Sequence, residues 1–267
     1  MKFENLVQFE EEVKALDKPF EAEVFAQTHE KVHEAHKFKA IMSKRYGQVL
    51  SIVSQRYSIV QSQDVLNSVI SALSKLGIHE VSGSLIEQKG RTYARILLPQ
   101  YITEGDNDRA IQVGFLLVNS YDATKSLTLK AYAGRLVCTN GMILGETLGG
   151  SMIRKHVGNI NYEVEEAVKS LIAQIVERSP YLTTLIQKAI ESTYEDFEAM
   201  ELELKELGFA KNLSEKILSR IEYSSSKHSK WDLYNAITNF YSRKKISESG
   251  RIKNLERAEQ LLVAPAL

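Results

Sequence analysis

One uncharged run of eleven residues, Ala110 to Ser120, restricts the fold of this chain more than any other segment. It reads AIQVGFLLVNS and is apolar at nearly every position. A strand that is apolar on both of its alternating faces must be covered on both sides, so the run predicts a central strand of a sheet. With 267 residues, 43% of them hydrophobic, the chain can also form a sizeable core.

A helix that is able to cover one face of this sheet precedes the run. Apolar residues recur at helical spacing between residues 62 and 76, where Ser62 is a suitable cap and Gly77 a suitable end. From residue 78 onwards the apolar period becomes two, and turn residues separate the apolar segments. The short connections favour antiparallel hairpins between predicted strands at 78–87, 91–98, 110–119 and 126–138.

The regions on either side of this sheet have a helical pattern. Residues 1–46 are rich in charge and predict an N-terminal charged helical arm, residues 47–160 an α/β sheet domain, and residues 161–267 a helical subdomain. An aromatic stripe in the last region predicts core packing, with base stacking as the alternative; it consists of Trp231, Tyr234, Ile237, Phe240 and Tyr241. The predicted class is α+β, a mainly antiparallel sheet with a covering helix followed by a helical C-terminal subdomain.

Cysteine content and charge limit the compartment and the partners. Cys138 is the only cysteine, so no intrachain disulfide can form and a reducing compartment is favoured. No stretch approaches the apolar length of a membrane span or a signal peptide, so we predict a cytoplasmic protein without a membrane partner. Lys plus Arg equals Asp plus Glu at 34 each, so any basic binding surface must be local.

A zinc-peptidase motif occurs in the N-terminal region. The segment His29–His33 matches H-E-x-x-H, and His36 extends the pattern. On a helix, His29 and His33 share a face that can hold zinc, and Glu30 can act as the general base. The many charged neighbours are more typical of a solvated helix, so a zinc metallopeptidase is a remote alternative. Whether the three histidines bind a metal stays open at this stage.

Two further chemical patterns are weaker. Cys138 can be a nucleophile with His156 as its base, but its position at a strand end favours a small buried side chain. The segment 104–108 carries clustered oxygens but lacks the downstream glutamate of a calcium loop, so it indicates an acidic turn. No P-loop, dinucleotide-binding fingerprint or nucleophile elbow is present. We predict no cofactor and no catalytic residue, and a binding protein is favoured over an enzyme.

A basic and aromatic sheet face is the more coherent candidate site. On one predicted strand, Arg91, Tyr93 and Arg95 alternate with apolar residues and therefore share one face. On another, Lys130 and Tyr132 lie on the face opposite the apolar one. Cations bind phosphates and rings stack on bases, which together hold a single strand of nucleic acid. An ordinary solvated sheet face is the alternative. The predicted nucleic-acid-binding residues are Arg56, Arg91, Tyr93, Arg95, Lys130, Tyr132, Arg135, Arg154 and Lys155.

Four ordered motifs give the chain a resemblance to a known family. They are NSYD at 119–122, GRLVCTNG at 134–141, RKH at 154–156 and WDLYNAIT at 231–238. With the stretch GSLIEQKGRTYARILLP before them, the chain resembles the phage/plasmid-like family, domain of unknown function 932, over residues 49 to 240. The resemblance implies an origin in a mobile genetic element but no defined activity. More remotely, the arrangement is similar to viral single-strand annealing proteins, which implies a multimer with Arg91, Arg95, Lys130 and Arg135 along a phosphate groove.

Two classes of function follow from these observations. The first is a non-enzymatic nucleic-acid-binding protein that binds or anneals single-stranded DNA in replication or recombination and forms a homo-oligomer. The alternative is a protein-interaction module that acts on a host system, in which the C-terminal helices dock a partner and the sheet face is only solvated.

Overall fold

The structure is a computed structural model that describes residues 1–27, 32–102, 111–135, 141–143, 151–156, 161–221 and 228–263. It confirms the predicted α+β class, with antiparallel sheets and a helical C-terminal region. In chain order, the elements are β1 (Lys2–Phe3), α1 (Leu6–Lys14), β2 (Phe20–Gln27), β3 (Val32–Met42), β4 (Val49–Ser54), α2 (Ser62–Lys75), β5 (Ser82–Gln88), β6 (Arg91–Ile102), β7 (Ile111–Ser120), β8 (Leu127–Arg135), β9 (Gly141–Ile143), β10 (Ser151–Arg154), α3 (Asn161–Glu191), β11 (Thr193–Tyr194), α4 (Phe197–Glu206), α5 (Lys211–Leu218), β12 (His228–Ser229), α6 (Lys230–Arg243) and α7 (Glu248–Val263).

The uncharged run forms the central strand that its composition predicts. The large sheet has the order β1-β5-β6-β7-β8-β10, and β9 also pairs with β8. Every residue of β7 from Gln112 to Ser120 is buried. Both faces of this strand are therefore covered, which is why its apolar residues do not alternate with polar ones.

Helix α2 joins the sheet through hydrogen bonds of its first residue. The Ser62 amide donates to the Tyr121 hydroxyl at 2.8 Å, and the Ser62 hydroxyl donates to Thr92 Oγ1 at 2.8 Å. The Asn119 side-chain amide donates to Ser62 Oγ at 2.9 Å. The predicted role of Ser62 as helix cap is wrong, because Gln61 holds the cap position and Ser62 is bonded to the sheet. The helix ends before Gly77, whose φ of +71° suits glycine.

The predicted helical character of residues 1–46 is wrong beyond α1. Strands β2 and β3 form an antiparallel hairpin, and β4 completes a three-stranded sheet in the order β2-β3-β4, which we call the small sheet. The charged residues of β2 recur at every second position, as is typical of a strand: Glu21 and Glu23 alternate with Phe20 and Ala22. Lys39 on β3 pairs with Glu21 at 2.6 Å, so these charges satisfy each other across neighbouring strands.

The C-terminal region is helical, as predicted. Helix α3 continues through Pro180, and a short pair of β11 with β12 interrupts the later helices. The aromatic stripe is core packing, because all five of its members on α6 are buried; they are Trp231, Tyr234, Ile237, Phe240 and Tyr241.

Two compact units divide the chain by its internal contacts. The first comprises residues 1–99, 115–130 and 151–173, and the second residues 100–114, 131–150 and 174–267. Both units thus receive residues from β6, β7, β8 and α3. The division of the chain into three parts at residues 46 and 160 stays a prediction from the sequence. Within the described residues, no helix has the length and apolar content that crossing a membrane requires.

Candidate functional site

A cluster of aromatic and aliphatic side chains lies under the small sheet, in the first unit. Ile41 of β3 and Val53 of β4 point to its inner face and are buried. They pack with Tyr57, which follows β4, and with Tyr121, which follows β7. The loop after β4 and the end of β7 are thereby held at one place.

Tyr57 and His156 form the floor of the site, although 99 residues separate them in sequence. Their rings stack with centroids 5.0 Å apart, and the Tyr57 hydroxyl lies 3.0 Å from His156 Nδ1. Tyr57 donates its single proton to the Ser120 carbonyl at 2.9 Å, so its oxygen accepts from Nδ1–H. This arrangement leaves His156 Nε2 as a buried acceptor without a partner among the described residues.

Burial keeps both floor residues uncharged. It raises the pKa of the Tyr57 hydroxyl well above its ordinary value and lowers the pKa of His156 below its ordinary value. The His156 carbonyl also accepts a hydrogen bond from the Ser58 amide at 2.9 Å. The floor is therefore fixed in position and neutral at physiological pH.

The turn after β7 forms one wall of the site and is held by its own side chains. The Ser120 hydroxyl donates to the Lys125 carbonyl at 2.8 Å and accepts from the Lys125 amide at 3.1 Å. Asp122 accepts from the Thr124 amide at 3.0 Å and from its hydroxyl. Ala123 has a φ of +55°, a conformation that costs an L-residue roughly 1 kcal/mol. Such strain, held by four hydrogen bonds, is typical of functional sites.

Asp122 is neutralised by a cation from the neighbouring strand. Arg91 Nε lies 2.8 Å from Asp122 Oδ2, and both side chains are largely buried. Burial raises the pKa of Asp122, but hydrogen bonds from Thr124 and Arg91 outweigh it and hold the pKa below its ordinary value. Arg91 thus serves an internal ion pair instead of the open surface that its sequence position suggests.

The floor and the turn enclose one side of an open cavity of about 340 Å³, which we call the cationic cavity. Arg56, Lys125 and Lys155 line it and are exposed. Their charged groups form no hydrogen bond or ion pair with any residue that the structure describes. Three cations without a described counter-charge therefore converge on a small cavity, whose remaining lining residues are Ser54, Tyr57, Ala123, Thr124, Ser126 and His156.

The outer face of the small sheet adjoins this cavity and is apolar. Phe38 pairs directly with Ser54, a lining residue of the cavity, so the two share this face. Phe20 and Phe38 are 48% and 50% exposed, and Ile52 is 61% exposed. The other paired positions on this face are Ala22, Ala40, Met42 and Val49. Several large exposed apolar side chains on one face of a sheet are typical of an interaction surface.

The structure brings only part of the predicted site together. Arg56 and Lys155 line the cationic cavity, and Arg154, which precedes Lys155, is exposed at the end of β10. Lys125, Phe20 and Phe38 were not among the predicted site residues. The turn residues around Lys125 and the alternation around Phe20 are the signals in the sequence, but neither indicates what lies nearby in the fold.

The predicted solvated face of the large sheet is wrong at its aromatic positions. Tyr93 is 3% exposed and Tyr132 is 6% exposed, so neither ring is open to a base. Arg95 and Lys130 are half-buried and engaged in contacts. Arg135 ends β8, and its side chain lies outside the described residues. The physical reason is that the sheet is covered on both faces, as β7 shows.

The other chemical patterns receive no support from their surroundings. Residues 28–31, with His29 and Glu30, lie outside the described residues, as do Cys138 and the segment 104–108. His33 and His36 are in strand β3, so the predicted helix that would align a zinc pair is absent there. In the described part of the chain, no group of three or more His, Cys, Asp or Glu is placed to hold a metal ion.

We expect acid to destabilise the fold through His156. The unfolded imidazole takes up a proton near pH 6.5, whereas burial lowers the pKa in the folded state. Below about pH 6.5 the unfolded state then binds more protons, so the free energy of unfolding falls by up to about 1.4 kcal/mol per pH unit. Urea denaturation at pH 5.5 and 7.5 should show that His156→Gln loses this component, whereas His79→Gln, at an exposed histidine, retains it. Equal pH dependence in both variants would contradict the assignment.

A comparison with protein families gives a match over most of the chain. The model described as "Domain of unknown function (DUF932)" matches residues 49–262 and therefore includes every residue of the cationic cavity. No curated protein and no solved structure shows significant similarity to the chain.

Proposed function

Because the chain belongs to the DUF932 family, whose activity is undefined, we propose a function from the site itself: the cationic cavity binds the phosphate backbone of a nucleic acid. The observation that carries the proposal is the convergence of Arg56, Lys125 and Lys155 without counter-charges among the described residues. The chain as a whole has no net charge, so this local excess is not a consequence of composition.

Several features support phosphate as the ligand. Lys and Arg bind phosphate oxygens, and exposed hydroxyls such as Ser54 can add hydrogen bonds. The nearby carboxylate, Asp122, is already paired with Arg91, so it does not compete for the three cations. The stacked rings of Tyr57 and His156 give the cavity a rigid floor.

Neutralising the three cations tests this proposal. In the triple variant Arg56→Ala, Lys125→Ala, Lys155→Ala, three phosphate contacts are lost, and each contributes about 0.7 to the salt slope of single-strand binding. We expect affinity for a fluorescent oligonucleotide to fall by about 100-fold at 0.1 M salt, and the slope of log K against log salt to flatten by about 2. Fluorescence anisotropy over a salt series measures both quantities.

A matched control uses three exposed lysines that are not among the lining residues of the cavity. Lys18→Ala, Lys211→Ala, Lys216→Ala removes the same charge and should leave affinity within about threefold of the native chain, apart from weak long-range screening effects. Equal losses of affinity in both triple variants would show that the effect depends only on the net charge of the protein. Failure of the native protein to bind any oligonucleotide at low salt would end the proposal.

The proposal also includes the process in which the protein acts, its compartment and its oligomeric state. A protein that binds exposed phosphates suits binding or annealing of single-stranded DNA in phage or plasmid replication or recombination, in the cytoplasm and as a homo-oligomer. The second candidate is a protein-interaction module acting on a host system. The outer face of the small sheet favours it, because Phe20, Phe38 and Ile52 are about half exposed.

A further inference from the structure

We infer that the outer face of the small sheet is a stacking platform for unpaired bases, which makes the ligand of the cationic cavity a single strand. This inference rests on the proposed function and names its substrate class. In the resulting arrangement, the cavity holds phosphates while the rings of Phe20 and Phe38 contact the bases of the same strand.

The stacking platform is continuous with the cationic cavity. Phe38 on β3 is the register partner of Ser54 on β4, and Ser54 lines the cationic cavity. Directly opposed residues of antiparallel strands lie about 5 Å apart, so Phe38 is next to the cavity wall. Arg56 follows Ser54 by two residues and is one of the three cations. Aromatic rings beside a cationic track are the combination that binds single strands irrespective of sequence.

The distribution of charge on the small sheet also favours a polyanion on its outer face. Its paired positions between the pair Phe20–Met42 and the pair Phe38–Ser54 carry no charge and so do not repel a polyanion. The acidic residues of β2 at positions 21 and 23 alternate with Phe20 and Ala22, which places them on the opposite side of the sheet. Glu21 is also paired with Lys39. A single strand can therefore lie across the rings without meeting a carboxylate of this face.

The strands that carry the platform are held rigidly. The inner face of β3 and β4 packs on Tyr57 and Tyr121 through Ile41 and Val53. Phe38 is thus presented by strands that are packed behind it, and Phe20 is held beside them by its pairing with Met42, so little order is lost when a base stacks on these rings. Duplex bases are stacked on each other and cannot use these rings, so the platform favours single strands over duplexes.

A second copy of the chain fits this face less well. A protein partner would leave the three cations at the edge of this face without an occupant, whereas a nucleic acid accounts for both features.

The test compares two oligonucleotides and one pair of rings. Full-length protein is titrated against a fluorescein-labelled 20-nucleotide thymidine strand and against a 20-base-pair duplex. In the variant Phe20→Ala, Phe38→Ala, we expect single-strand affinity to fall at least about 10-fold, because stacking on each ring is lost, with duplex affinity unchanged. Tyr181→Ala removes an equally exposed aromatic residue from α3 and should change neither.

A second variant distinguishes stacking from a structural role. Phe38→Trp keeps a ring on the platform, should bind the single strand at least as tightly as the native chain, and gives a fluorescence signal that stacking quenches. The native Trp231 is buried and supplies a baseline. If the indole fluorescence that Phe38→Trp adds is not quenched in the bound state, the inference is overturned.

The remaining outcomes separate this inference from the proposed function. If the phenylalanine variant binds normally while the triple cation variant does not, the platform is wrong and the phosphate site stands. If the native protein binds neither oligonucleotide, the proposed function fails and the inference with it. If the phenylalanine variant dissociates an oligomer in light scattering without a change in single-strand affinity, the face is an interface between copies, and the inference is overturned.

Discussion

Gly83→Ala is expected to lower the free energy of unfolding by roughly 3 kcal/mol or more. Gly83 lies in β5, between β1 and β6, and pairs with Phe3 and Ile96. A Cβ at this position would collide with the Arg95 carbonyl oxygen and would lie 2.8 Å from Phe3 Cζ. Because the first of these atoms is backbone, the strand must shift and the pairing of β5 with β6 is lost.

Urea denaturation at constant pH measures this loss from the midpoint and slope. Gly250→Ala is the matched control, since its Cβ would meet only the Ser247 hydroxyl at 3.3 Å and Gly250 lies within α7. There alanine should change the free energy of unfolding by less than about 1 kcal/mol, because the gain in helix propensity is opposed by the close Ser247 hydroxyl, which accepts from the Gly250 amide. If both variants have the same midpoint, the close approach at Gly83 is incorrect.

The second large effect concerns the two faces of β7. Phe115 and Leu116 are 0% and 1% exposed and, as neighbours in a strand, point to opposite faces. We expect Phe115→Ala to cost about 3–5 kcal/mol and Leu116→Ala about 2–5 kcal/mol, because each leaves a cavity in packed surroundings. In a sheet with one solvated face, only one of the two substitutions would be costly.

Ile52→Ala is the control for this comparison, because it removes an exposed aliphatic side chain from the outer face of the small sheet. It should change the free energy of unfolding by less than about 1 kcal/mol. A cost below about 1 kcal/mol for either Phe115→Ala or Leu116→Ala would show that one face of β7 is open. The candidate surface on β6 and β8 would then have to be reconsidered.

The predicted exposure of the aromatic side chains on the large sheet is wrong because alternation in a sequence does not reveal what covers each face. Arg91, Tyr93 and Arg95 do alternate with buried residues, as predicted, and Thr92, Ala94, Ile96 and Leu98 are all on the buried side. However, Tyr93 is buried as well, and Arg91 is paired with Asp122. An amphipathic aromatic side chain suits a solvated face and a covered one equally well, so its exposure depends on the neighbouring layer.

The small sheet was missed because its charges resemble those of a solvated helix. In β2 the acidic residues at alternate positions are satisfied across strands, as Glu21 is by Lys39. Cross-strand pairs of this kind join residues distant in sequence, and a local pattern does not contain them. The apolar members, Phe20 and Phe38, therefore belong to a platform that no single segment indicates.

By itself, the sequence determined the elements whose character is local. The uncharged run forms the central strand, the helical period before Gly77 forms α2, and the apolar stripe of α6 forms packed core, because burial of apolar side chains at a regular period does not depend on which partner covers them. Only the tertiary structure decided the candidate site. Tyr57, Lys125 and His156 come from three distant segments, and they meet because hydrogen bonds and ring packing at Ser120 and Tyr121 hold those segments together. Their separation in sequence is the reason that no pattern within one segment could place the three cations around one cavity.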